Sequence, residues 1–144
     1  MKKYIKSAGY VILFFLFICF AIDQSRSFYK LEDGKEVTVW KRIGGICYVI
    51  PYKYYGIIKP SSCAIETVNT GGITLIWYNG KLIVNTDSKM KIINNGDCIL
   101  EDYMNKKDEN DSIFLYSDNG IDKLKSDLKY LSIYILDNSV YSNK

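Results

Sequence analysis

Apolar positions fall into two regimes along this chain. Residues 8–22 form one unbroken uncharged run, AGYVILFFLFICFAI, while from Glu36 onward short apolar stretches alternate with turn residues. The first regime is helical in length and composition. The second has the period of two and the Val, Ile, Thr, Tyr and Trp content of β-strands.

Strands are expected over Val37–Thr38–Val39–Trp40, then after the Gly44–Gly45 break over residues 46–50. There Ile46, Tyr48 and Ile50 share one face, with Cys47 and Val49 on the other. Pro51 ends the run, because proline cannot donate to a ladder. Another strand is expected over residues 54–58, closed by Lys59–Pro60–Ser61–Ser62. The strongest local feature is Asn79–Gly80 between residues 73–78 and 81–84. Both residues tolerate positive φ, so they predict a type I′ hairpin. Residues 90–93 are expected to extend this hairpin into a meander. Further strands are expected at 98–100, 113–116 and 133–136.

Residues 23–35 are polar and read as a linker, and 105–111 as a charged loop. One helix is expected over residues 119–131. Ile121, Leu124, Leu128 and Leu131 would form its apolar stripe, and Asp118 or Asn119 its cap. The predicted fold is therefore mainly β: a small antiparallel sandwich or barrel with one C-terminal helix, preceded by an N-terminal hydrophobic export or anchor helix. Its parts are a signal peptide or signal-anchor (1–22), a linker (23–35) and a β-rich extracytoplasmic domain (36–144). A purely parallel α/β arrangement lacks the helices it needs between strands.

Charge sharpens the reading of the first segment. The net charge is +3, and Lys2, Lys3 and Lys6 account for all of it. The rest of the chain is balanced, so nucleic acid is not an expected partner. It is positive over residues 22–94 and negative over 95–144. Basic residues before an apolar run hold the N-terminus in the cytoplasm, and the chain beyond the run crosses the membrane. Fifteen uncharged residues match a signal h-region of roughly 7–15 and fall short of the roughly 17–25 of a spanning helix. Tyr4 and Ile5 would lengthen the run, and Cys19–Phe20–Ala21 is a weak cleavage site. The sequence thus leaves open a membrane-anchored chain and one secreted or periplasmic after cleavage. Ile18 stands where a bacterial lipoprotein has a small residue before its cysteine, so lipid attachment at Cys19 is not expected.

The chain has no histidine. Ser-His-Asp and Cys-His nucleophilic sets, as usually built, are therefore out of reach, as are His-containing zinc sites. No cofactor or metal is expected. Cys47, Cys63 and Cys98 allow three pairings in an oxidising compartment. Cys63 and Cys98 both follow turn clusters and start strands, which favours that pair. Ser27–Phe28–Tyr29–Lys30 and Ser117–Asp118–Asn119 match two penicillin-binding motifs. The third is missing, and Ser27 lies in the expected linker, so the match carries no enzymatic reading. The acidic run from Asp108 to Asp111 lacks the order of a calcium loop.

The best candidate for a binding surface is Tyr48, Tyr52, Tyr54 and Tyr55, interleaved with Lys53 and Lys59. Tyrosine combines contact area with a polar tip. The expected function is a non-catalytic, membrane-tethered or exported extracytoplasmic domain that recognises a protein or envelope component. The alternative is a small envelope hydrolase using Glu66, Glu101 and Asp102. A third possibility is a structural membrane protein whose leader assembles with other helices.

Overall fold

A computed structural model describes residues 2–23, 25–95, 98–103, 114–117, 120–124 and 128–142. The chain opens with helix α1 (Lys2–Asp23). The strands after it are β1 (Arg26–Lys30), β2 (Glu36–Lys41), β3 (Ile46–Ile50), β4 (Ala64–Val68), β5 (Gly72–Tyr78), β6 (Lys81–Thr86), β7 (Met90–Ile93), β8 (Leu100–Asp102), β9 (Phe114–Ser117), β10 (Gly120–Leu124), β11 (Lys129–Tyr134) and β12 (Ser139–Ser142). They make two five-stranded sheets, β1-β2-β3-β4-β7 and β12-β11-β5-β6-β8, and a β9-β10 pair. All pairings are antiparallel except β6 with β8. Neither sheet closes into a barrel.

The sheets face each other across one apolar core. Val37, Val39, Cys47, Val49 and Ile65 from the first sheet meet Ile73, Leu75, Leu82, Val84, Leu131 and Ile133 from the second. Alternation puts every second residue of each strand into this layer. The other face of the first sheet carries a second cluster of Trp40, Tyr48, Ile50 and Ala64. That is why β2 and β3 read as continuous apolar runs: both of their faces are covered.

The Asn79–Gly80 hairpin forms with φ of 47° and 76° at its two turn residues, and six residue pairs join β5 to β6. A disulfide joins Cys63, just before β4, to Cys98, just before β8, with 5.7 Å between the Cα atoms. It ties the first sheet to the second where the chain crosses between them.

Several expectations are corrected. The stretch 23–35 is not a simple linker, since β1 pairs with β2 over five residues from Arg26↔Trp40 to Lys30↔Glu36. Flanking charges mask its alternation, but Tyr29 packs on the core. Residues 54–58 form no strand: the Tyr54 amide and the Gly56 and Ile58 carbonyls bond to side chains instead of a ladder. Residues 90–93 do not extend the hairpin. They cross to pair β7 with β4 in the other sheet.

Among the described residues, the expected C-terminal helix does not form. Gly120–Leu124 pairs with β9, and Lys129–Tyr134 lies between β5 and β12. Leu128 and Leu131 fit a helical stripe, but Leu131 and Ile133 also alternate, and two strand partners satisfy that alternation. The expected cap at Asp118 and Asn119 lies outside the described residues, as does the 105–111 loop. The final expected strand shifts too: residues 135–138 turn, and β12 closes the sheet.

Candidate functional site: a propped aromatic loop

Register aligns five side chains in one row across the outer face of the first sheet: Arg26, Trp40, Tyr48, Glu66 and Lys91. Trp40 is fully buried between two guanidinium groups, with Arg26 Cζ 4.3 Å and Arg42 Cζ 5.1 Å from its ring centroid. A cation over an indole face is attracted by the ring quadrupole, and more strongly when water is excluded. Tyr48 packs on Trp40 with centroids 5.6 Å apart, and the Tyr54 ring lies 6.2 Å from it.

Residues 51–62 fold back over this row. The hydroxyl of Thr38, buried in β2, donates to the Tyr52 carbonyl at 2.7 Å and accepts from the Tyr54 amide at 3.0 Å. Arg26 donates to the Gly56 carbonyl, and the Tyr54 hydroxyl donates to the Ile58 carbonyl at 2.7 Å. Gly56 permits this closure, since a Cβ there would collide with the Tyr54 ring and hydroxyl.

The six sequence candidates are brought to one region but divide in role, with Lys59 paired to Glu66. Tyr48 is 3% exposed and belongs to the cluster beneath the loop. Tyr54 is half-buried and props the loop. Tyr52, Lys53 and Tyr55 face outward. Tyr55 is 66% exposed and packs against Phe28 in a tilted pair with centroids 5.2 Å apart. Lys53 reaches Glu36 at 3.6 Å and sits 5.6 Å from the Tyr55 ring. Ile57 and Ile58 complete an exposed apolar ledge, with Ile58 73% exposed. Sequence reasoning missed Arg26, Phe28, Thr38 and Trp40 as the supports. The available signal was their i, i+2 spacing within two facing strands.

The cluster beneath the loop also meets the end of α1. The Asp23 carboxylate accepts from Arg42 at 2.7 Å and from the Ile43 amide at 3.0 Å. Its carbonyl accepts from the Trp40 indole at 2.5 Å. The Arg42 hydrogen bond outweighs desolvation and holds the Asp23 carboxyl below its ordinary pKa.

The candidate hydrolytic carboxylates are not assembled into one set. Glu66 lies in β4, whereas Glu101 and Asp102 lie in β8 of the other sheet. Lys59 donates to Glu66 at 2.5 Å and holds its carboxyl below the usual range, against the effect of desolvation. A proton donor in glycoside hydrolysis needs the opposite shift. Glu101 pairs with Lys81 at 2.9 Å. Cys47 is buried in the core, and burial pushes its thiol up to about 12, which leaves it protonated and unreactive. Among the described residues, no group of three or more Cys, Asp or Glu could hold a metal ion.

No protein-family model, curated protein or solved structure matches the chain.

Proposed function

We propose that the chain is a non-catalytic binding domain carried out of the cytoplasm by its N-terminal segment, and that it recognises a protein or envelope component through the ledge at residues 52–58. The observation that carries this reading is the presentation of exposed Tyr55, Ile57 and Ile58 above buried Trp40 and half-buried Tyr54. A loop pre-ordered by Thr38 and Arg26 loses little entropy on binding. Aromatic and aliphatic side chains held in one place supply the anchors that dominate interfaces.

The export part of the reading rests on the basic start and on α1. Its side chains from Tyr10 to Phe17 are all exposed, and a helix apolar on every side requires burial in protein or lipid. Among the described residues, no helix is long and apolar enough to cross a membrane. A leader removed after export fits both observations, whereas one held in the membrane fits only the first; the mature N-terminus read by mass spectrometry distinguishes the two.

The test of the ledge uses the full chain with a C-terminal tag, crosslinked in the producing cells and purified. Tyr55→Ala with Ile58→Ala should lose the crosslinked species that the wild-type chain retains, with an unchanged melting temperature. Equal recovery of that species from both chains removes the ledge from the proposal.

A further inference from the structure

The outer face of the second sheet is built differently. Half of it is apolar and covered: Ile76 and Ile83 pack under Tyr103 and Leu128. The other half is open. There Thr74 lies between Ser132 on β11 and Asn85 on β6, and Ser132 is paired with Tyr141 on β12. This row borders a groove of about 310 Å³ whose walls include Asn85, Asp87 and Tyr134. That volume is the lower end of the roughly 300–1,000 Å³ of small-ligand sites.

A sheet face in water needs polar side chains. It does not need a concavity, nor large aromatic rings held at the rim. Tyr134 and Tyr141 are 51% and 61% exposed, and their rings meet edge to face at 5.9 Å. The Tyr134 ring leans over Gly72, where a Cβ would lie 3.7 Å from it. Gly72 therefore lets the ring lie low across the groove floor, where a larger side chain would press on it.

The lining chemistry is specific. Thr74 and Ser132 hydroxyls share one hydrogen bond of 2.8 Å. Two hydroxyls carry two protons and four lone pairs, so that single bond leaves one donor and three acceptors. Asn85 brings an amide with both donor and acceptor character. The Asp87 carboxylate is fixed at the end of the groove by the Gly72 amide at 3.1 Å. No lysine or arginine lines the groove, which disfavours phosphate and carboxylate ligands.

We infer that this groove is a binding site for a neutral oligosaccharide, one pyranose ring lying with its C–H face on Tyr134 and its hydroxyls bonded to Ser132, Thr74, Asn85 and Asp87. A pyranose offers an apolar face of C–H bonds, with positive edges suited to the negative π-face, and a rim of hydroxyls that both donate and accept. The lining matches those two demands. The site deepens the binding reading by naming a class of envelope component, but the groove stands apart from the ledge and does not depend on it.

The test is calorimetric titration of the detergent-solubilised full chain with β-1,4-linked N-acetylglucosamine tetramer and, separately, cellotetraose. Saturable binding of at least one by the wild-type chain is expected. Tyr134→Ala should weaken it about tenfold or more, while Tyr134→Phe, which keeps the stacking face, stays within about threefold. Gly72→Val fills the floor at a position with ordinary backbone geometry and should abolish binding while the melting temperature holds. Absence of saturable binding of both sugars to the wild-type chain overturns the inference. So does wild-type affinity in Tyr134→Ala or in Gly72→Val. The ledge variant Tyr55→Ala with Ile58→Ala should bind both sugars as the wild-type chain does, which separates failure of the groove from failure of the ledge.

Discussion

The two outer faces of this sandwich begin from the same strand geometry and end in opposite states. On the first sheet, Trp40, Tyr48 and Ile50 are buried because residues 51–62 return over them. On the second sheet, Thr74, Ser132 and Asn85 border an open groove. The difference lies in what covers each face rather than in the strands. A covered face can be made of large apolar side chains and becomes part of the stability of the fold. An open face must be polar, and it can be altered with little effect on folding.

That contrast is broken most directly by truncating the covered face. Trp40→Ala should cost about 3–5 kcal/mol, from lost burial and the cavity left behind. Ser132→Ala on the open face should cost only about 1 kcal/mol, the worth of its one hydrogen bond to Thr74. Urea unfolding of both variants measures the difference. Comparable midpoints would mean that the loop does not bury Trp40 in solution.

The next effect concerns the join between the two sheets. Replacing Cys63 and Cys98 with Ser opens a link of sequence separation 35. The chain-entropy argument gives a loss of about 3–4 kcal/mol for a loop of that size. Thermal unfolding with and without reductant should show the wild-type chain falling to the variant's midpoint, and the variant unaffected. Cys47 should stay unmodified by a thiol reagent until the chain unfolds.

Thr38→Val is a smaller and more local break. It keeps the shape of the side chain but removes the partner of the Tyr52 carbonyl and the Tyr54 amide. A loss of about 1–3 kcal/mol is expected, the cost of leaving a part-buried polar group unpaired. Hydrogen exchange should rise at Tyr54 and leave β5 and β11 unchanged.

The smallest effect is at the joint with α1. The folded pKa of Asp23 is depressed, chiefly by the hydrogen bond from Arg42. Its contribution is therefore present above the unfolded carboxylate pKa and fades as pH falls through the lower folded value. Arg42 is about a third exposed, so the pair contributes less than about 1 kcal/mol. Asp23→Asn should flatten the stability profile below about pH 4, with little change at neutral pH beyond that loss.

Much of the strand content was legible because it depends on neighbours along the chain. Asn79–Gly80 requires positive φ wherever it sits, and the faces of β3 come from alternation alone. The candidate site was half legible. A cluster of tyrosines around Pro51 is visible in the sequence, but Tyr52 and Tyr54 differ by only two positions, and one faces solvent while the other is a prop. The groove on the second sheet gave no motif, because Gly72, Asn85, Ser132 and Tyr134 come from three strands and meet only through register.

The sequence by itself determined the apolar basic-led N-terminus, the β-rich body, the hairpin and the absence of histidine chemistry. These rest on composition and on interactions a few residues apart. Tertiary structure alone decided that residues 120–124 and 129–134 would be strands, that β7 would leave its hairpin for the other sheet, and which outer face would be covered. In each case a short segment admits two local periods or two partners. The choice falls to the partner, distant in sequence, that completes the hydrogen-bond ladder and buries the apolar side.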